Sequence, residues 1–255
     1  MGSKNKSRIF RSGHAYHDIE TILQSLFAKG KCLDFPTGKG VNIDGIRRAG
    51  FEPVAADLFP EYASCKGIQA IKADFNKRLP FEDSEFQVVL HSEGIEHCPC
   101  QLQLLKEFWR VLKPGGYLLI TTPNILNLRA RLSSLLNGHY SFARGPILEG
   151  SQVRDESEDG SVYIGHVFCV NYFSLRFMLR LIGFTNISVH TAKYSSSACL
   201  LAPLLWLPVF LATRRLFQKE VEGDKKSTCR EILTHVTSKD LLFGKKLIVL
   251  VSKPG

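Results

Sequence analysis

The sequence predicts an α/β fold built on a mostly parallel sheet with helices on both faces. Two observations carry this. Short apolar segments with polar ends alternate with segments of helical periodicity. The chain is also 44% hydrophobic and 22% charged, which gives it a core and excludes disordered or collagen-like classes. Its 255 residues fit one domain, 1–255, and no internal repeat divides them.

The elements follow in order. Tyr16, Ile19, Ile22, Leu23, Leu26 and Phe27 share one helical face, so 15–28 is expected to be a helix that Gly30 ends. Together, 1–30 forms an N-terminal helical segment before a core at 31–122. Residues 31–35 read as a short buried strand running into a turn rich in glycine and proline. Further strands are expected at 53–56, 68–73, 86–91 and 117–122. Between the last two, Leu102, Leu105, Phe108, Trp109 and Leu112 give 101–112 one apolar helical face. Lys113-Pro114-Gly115-Gly116 ends it with a cation, a helix-incompatible proline and two glycines. After Pro123 the rhythm changes. Residues 124–165 are longer and more polar, with acids at Asp155, Glu156, Glu158 and Asp159, and read as an excursion from the sheet within a lid or substrate region, 123–170. In the closing part, 171–255, a helix at 171–182 capped by Asn171 or Ser174 and ended by Gly183 precedes two late strands, 185–191 and 246–252.

Between those strands, 198–212 is apolar throughout and broken by Pro203 and Pro208. As a helix it reaches about 22 Å, short of the roughly 30 Å hydrocarbon core, so a full span is not expected. Arg214 and Arg215 follow at once, and 198–215 reads as an interfacial or re-entrant insertion rather than a buried hairpin or dimer contact. The formal charge of +9 suits phosphate-bearing partners or an anionic membrane face. Seven scattered cysteines and a polar, basic 1–11 without an apolar stretch behind it point to free thiols in a reducing, cytoplasmic setting, at the inner face of the membrane if the apolar run binds there.

In an open parallel sheet, ligands sit outside the carboxyl ends of the strands, so the polar residues there should form one site. Asp34-Phe-Pro36-Thr-Gly38-Lys-Gly40 follows the first strand: its glycines permit a tight turn and close approach of a ligand, and Asp34 can fix loop amides. Asp57 ends the second strand, where an acid can accept both hydroxyls of a ribose. Asp74-Phe75 ends the third, where a carboxylate can take an adenine amino proton and a ring can cover the base. Each aspartate could instead cap a helix. A nicotinamide fingerprint is incomplete, because G-x-G-x-x-G is missing, and no P-loop G-x-x-x-x-G-K-[ST] occurs.

Through these residues the chain from Cys32 to Thr122 resembles the class I S-adenosylmethionine-dependent methyltransferases. The resemblance rests on the 34–40 loop, Asp57, Asp74, Leu79-Pro80-Phe81 and Arg110-Val-Leu-Lys-Pro-Gly-Gly116. Pro36-Thr37 and Gln87 depart from its usual pattern. It implies a Rossmann-like seven-stranded sheet with the last strand antiparallel. It also implies S-adenosylmethionine held by Asp34, Pro36, Gly38 and Gly40 at the methionine end, Asp57 and Leu58 at the ribose, Asp74 and Phe75 at the adenine, and His91 and Glu93 beyond the fourth strand.

A sulfonium methyl is electrophilic already, so the protein must align an acceptor and, for a hydroxyl, help remove its proton. Candidates lie in His91-Ser-Glu93-Gly-Ile-Glu96-His97. If this turn is helical, Glu93, Glu96 and His97 share a face and suit Mg²⁺ or Mn²⁺. The string is similar to the metal-binding segment of ubiquinone-biosynthesis O-methyltransferases and of small-RNA 2′-O-methyltransferases, where a later histidine, here His166, completes the site. His97 or His166 acting as a metal-free base is the competing reading, and packing or capping the bland one. Cys98-Pro-Cys100 lacks a second pair for zinc. Arg129, Arg131 and Arg144 could face an anionic acceptor or simply solvent.

The 121–131 run, Gly165-His166, 173–175 and 183–184 look like bacterial methyltransferases of polysaccharide and lipid-linked glycan synthesis. That likeness implies O-methylation of a sugar or lipid-linked glycan, with a quinone-like acceptor as the nearest rival. RNA 2′-O-methylation lacks a basic stripe interleaved with aromatics. A non-catalytic scaffold would have no need of the Asp57, Asp74 and 93–97 set.

Overall fold

The computed structural model describes residues 13–64, 67–141, 147, 153–156, 162–218 and 225–255. The segment 1–12, Arg144, Glu158 and Asp159 lie outside the described residues.

Helix α1 (Gly13–Ser25) leads into β1 (Lys31–Asp34), α2 (Ile43–Arg48), β2 (Glu52–Asp57) and β3 (Ile71–Lys72). Then come β4 (Phe86–Ser92), α3 (Gln101–Val111) and β5 (Leu112–Pro123). The third strand is shorter than expected, two residues that pair only with Ala56 and Asp57. The fifth is longer. Lys113 to Gly116 ends the helix but joins the strand, because Leu112 already pairs with Phe86 across a register shift. Gly116 fits there because a Cβ would lie 2.8 Å from the Lys113 carbonyl oxygen and 3.0 Å from that of Gln87.

Beyond β5, helix α4 (Leu128–Asn137) and a separate hairpin, β6 (Val153–Glu156) with β7 (Val162–Ile164), leave the main sheet, as the change of rhythm after Pro123 suggested. Helix α5 (Tyr172–Ile182) starts at Asn171, whose side chain accepts from the Ser174 amide at 3.0 Å, and ends at Gly183 in the left-handed region. Strand β8 (Thr185–His190) is followed by α6 (Ser196–Leu200), α7 (Ala202–Gln218), α8 (Lys225–Val236), α9 (Lys239–Phe243) and β9 (Lys246–Ser252).

The main sheet has seven strands in the order β3-β2-β1-β4-β5-β9-β8. All run parallel except β9, which is antiparallel to both neighbours. Side chains alternate across it with period two. Leu118, Ile120, Val249 and Val251 join the core beneath α3 and α5, while Leu119 and Ile248 join the core beneath α1 and α2. Both faces of β4, β5 and β9 are therefore buried, which is why their sequences are nearly continuous apolar runs. Strand order reverses between β1 and β4, and this opens the crevice in which a doubly wound sheet binds its ligand.

The apolar insertion is neither a span nor a buried hairpin. No described helix is long and apolar enough to cross a membrane. One side of α7, with Leu201, Ala202, Leu205 and Val209, packs on Leu128, Ala198 and Leu242, while Leu204, Leu207 and Leu211 remain exposed.

Candidate active site

The switch point gathers the ends of β1, β2 and β4. Asp34 is fully buried, and both its oxygens are engaged: Thr37 Oγ1 donates to one at 2.9 Å and Asn42 Nδ2 to the other at 3.1 Å. Burial pushes its carboxyl up to about 7, opposed by those two donors. Its side chain therefore shapes the loop from inside, leaving the loop backbone to meet a ligand. Gly38 has φ +51° and Gly40 φ +75°, the left-handed region that the turn requires.

Asp57 ties this loop to β2. Its Oδ2 accepts from the Gly38 amide at 2.7 Å and its Oδ1 from the Phe59 amide at 3.0 Å. Each oxygen keeps a second lone pair, so the half-buried carboxylate can still accept two ligand hydroxyls. Burial raises its pKa and the amides pull it back. Leu58, beside it, is half-buried. Asp74 is held by the Asn76 amide at 2.9 Å and Lys77 Nζ at 3.6 Å. Next to it Phe75 packs on Phe35, ring centroids 4.9 Å apart, and edge-on to His91.

His91 lies beneath the loop rather than in the cleft. Its ring is fully buried among Phe35, Phe75 and Phe108, and Nδ1 meets the Phe35 carbonyl. Burial lowers its pKa to about 4, so it is neutral near pH 7. Gly94 makes this packing possible, since a Cβ there would lie 2.5 Å from both His91 Cε1 and Pro36 Cδ. Gly94→Ala should lower stability by about 1–3 kcal/mol through overpacking, read as a reduced urea midpoint with an unchanged slope.

The expected helical face over Glu93, Glu96 and His97 does not form. Only Ile95–His97 makes a 3-10 turn, and Glu93 has φ +53°. The cause is local. The Glu93 amide still pairs with the Thr121 carbonyl, extending the β4–β5 ladder, so the chain must reverse at Glu93 before any helix starts. The Glu93 carboxylate then goes elsewhere, accepting from Thr121 Oγ1 at 3.1 Å and pairing with Lys246 Nζ at 3.0 Å.

Glu96, His97 and His166 do come together. Glu96 is fully buried; its Oε2 accepts from Thr122 Oγ1 at 3.0 Å, and its Oε1 lies 3.8 Å from His166 Nδ1. His97 Nδ1 meets the Ile164 carbonyl at 2.6 Å, and the two imidazoles stand edge to face, 4.7 Å between centroids. One ligating atom from each of the three lies within 4.8 Å of the others, a set that could hold a cation. Glu93 is outside it, which corrects the expected four-residue metal set.

Burial, reinforced by the charge of Glu93, pushes Glu96 up to about 8. Its ordinary pKa is 4.5, so the folded chain keeps a proton that the unfolded chain loses between those values. The stability from this group is fully present below the lower value and is lost as pH rises through the upper. Glu96→Gln should therefore remove part of the alkaline loss, by about 2 kcal/mol, seen as a smaller drop in Tm from pH ~5 to pH ~8. An unchanged drop would place the titration elsewhere.

Sequence reasoning missed Thr121, Thr122 and Lys246, which hold the acids from β5 and β9. Only the inserted last strand, with Lys246 opposite Pro123, could have pointed to the lysine.

A family model described as a methyltransferase domain matches residues 8–189 of this chain. The chain belongs to that methyltransferase family. It is an S-adenosylmethionine-dependent methyltransferase, and the fold implies that cofactor. Among its relatives is the ubiquinone/menaquinone biosynthesis C-methyltransferase of Pseudomonas savastanoi pv. phaseolicola, 29% identical over 182 residues, covering 71% of this chain and 68% of that one. The malonyl-[acyl-carrier protein] O-methyltransferase of Marinomonas sp. is 30% identical over 138 residues, 47% of this methyltransferase and 50% of the relative. A solved S-adenosylmethionine-dependent methyltransferase from Archaeoglobus fulgidus shares the fold, with TM-score 0.55 and 16% identity over 93% of this chain and 94% of that one.

Proposed function

We propose that this methyltransferase O-methylates a sugar or lipid-linked glycan, with His97 and His166 taking the hydroxyl proton. The observation that carries the proposal is the imidazole pair. Donation from His97 Nδ1–H to the Ile164 carbonyl makes Nε2 the basic nitrogen, and His166 stands edge to face with it. A hydroxyl acceptor needs such a base. In this reading Asp57 and Leu58 hold the ribose, Asp74 and Phe75 the adenine, and the backbone of Pro36, Gly38 and Gly40 the methionine end. Glu93 accepts from the methionine amino group. Asp34 and His91 act from below, by shaping the loop. The glycan acceptor is supported by the likeness of 121–131 and Gly165-His166 to glycan-associated enzymes.

A quinone-like acceptor is the second reading, supported by the C-methyltransferase relative. Mass spectrometry of lipid-linked sugars and quinones from cells with and without the gene separates them, through a shift of about 14 daltons for CH₂. A shift in the sugar fraction supports the proposal and one in the quinone fraction replaces it. No shift in either sinks both.

A cation is a further element of the site's chemistry. Glu96 Oε1 is buried without a hydrogen-bond partner, so Glu96, His97 and His166 fit a divalent ion. Two imidazoles favour Mn²⁺ over Mg²⁺. Such an ion would polarise the acceptor oxygen. Activity that survives exhaustive chelation ends this part of the proposal and leaves the imidazoles as the base.

A further inference from the structure

We infer that the outward face of α6 and α7 docks on an anionic lipid surface. Leu200, Leu204, Leu207 and Leu211 are 82%, 71%, 52% and 54% exposed. Their spacing of four, three and four residues sets them in one stripe along the helices. The opposite side, with Leu201, Leu205 and Val209, is already packed on the protein, so the outward stripe is surplus to the fold. Helix α4 packs against both helices and adds Leu135 and Leu136, 80% and 66% exposed, at its end. A contiguous apolar face of this kind marks an interaction surface.

The charge selects the occupant. No Asp or Glu lies between Asp159 and Glu220 in the sequence; of the cations there, Arg176 and Arg180 are turned to Glu231, while Arg214 and Arg215 lie beside the stripe. Arg214 and Arg215 are exposed and directly follow the stripe. A second copy of this chain on the same face would bring Arg214 and Arg215 of both copies together, with no acid in the 160–219 stretch to balance them. Anionic headgroups supply that balance, and the hydrocarbon beneath them takes the leucines. The helices lie in the interface plane, since no described helix can cross. The docking does not depend on the acceptor proposed above.

The test is flotation of the full chain with vesicles of phosphatidylcholine alone and of phosphatidylcholine mixed with phosphatidylglycerol. The protein should float with the mixed vesicles only. The double variant Leu204→Glu/Leu207→Glu, at exposed positions that the core does not need, should lose more than tenfold in partitioning. Arg214→Gln/Arg215→Gln should lose roughly fivefold for each arginine, and added salt should mimic it. Absence of flotation, or variants that float like the parent, overturns the inference. So does a dimer in sedimentation velocity that the leucine variant dissolves, because the face then belongs to a second copy.

Discussion

Alanine at Asp57 should weaken S-adenosylmethionine binding at least a hundredfold, about 3 kcal/mol, in calorimetric titration. The carboxylate has two tasks. It pins the loop through the Gly38 amide at 2.7 Å and the Phe59 amide at 3.0 Å, and in the proposed reading its other lone pairs accept from the cofactor's ribose. A hydrogen bond to a charged group contributes about 1.5–3 kcal/mol, so losing both ribose contacts reaches that figure before the loop relaxes. Asp57→Asn keeps one acceptor oxygen and should fall between. Unchanged affinity in the alanine variant would remove Asp57 from the cofactor site.

His97→Ala should lower methyl transfer by about 10²- to 10⁴-fold, the usual worth of a positioned general base. Transfer can be followed from methyl-labelled cofactor into cell-envelope extract. Cofactor affinity should hold, because neither imidazole belongs to the Asp57 side of the cleft. A loss of binding equal to the loss of turnover would make His97 a packing residue of the loop. His166→Ala should give a smaller loss if His97 is the principal base, and an equal loss if the pair works as a unit.

The fold of the 31–122 half was legible because its signals are local. A strand followed at once by an acid or a glycine turn needs no knowledge of distant chain, and the β1, β2 and β4 ends lie where their polar residues suggested. The surroundings of Glu93 and Glu96 were less legible because their contacts are long-range. Thr121, Thr122 and Lys246 reach Glu93 and Glu96 only after β5 and β9 are in place, and nothing near Glu93 in sequence announces them. The helical reading of 93–97 failed for a related reason: spacing alone cannot reveal that the Glu93 amide is claimed by the Thr121 carbonyl. The same limit applied to α7. Its composition showed that it was apolar, but not that one side would be covered and the other left bare.

The position of β9 bears on how the molecule is made. Residues 246–252 slot between β5 and β8, so an interior strand of the sheet emerges from the ribosome after both its neighbours. Until then one flank of β5 shows unsatisfied amides and carbonyls beside Leu118 to Ile120, a template for pairing with other chains. The lysine that steadies Glu93 arrives with the same strand. Closure of the sheet and the pairing of Lys246 with Glu93 are thus a single late event, and a nascent chain stalled before it would be adhesive.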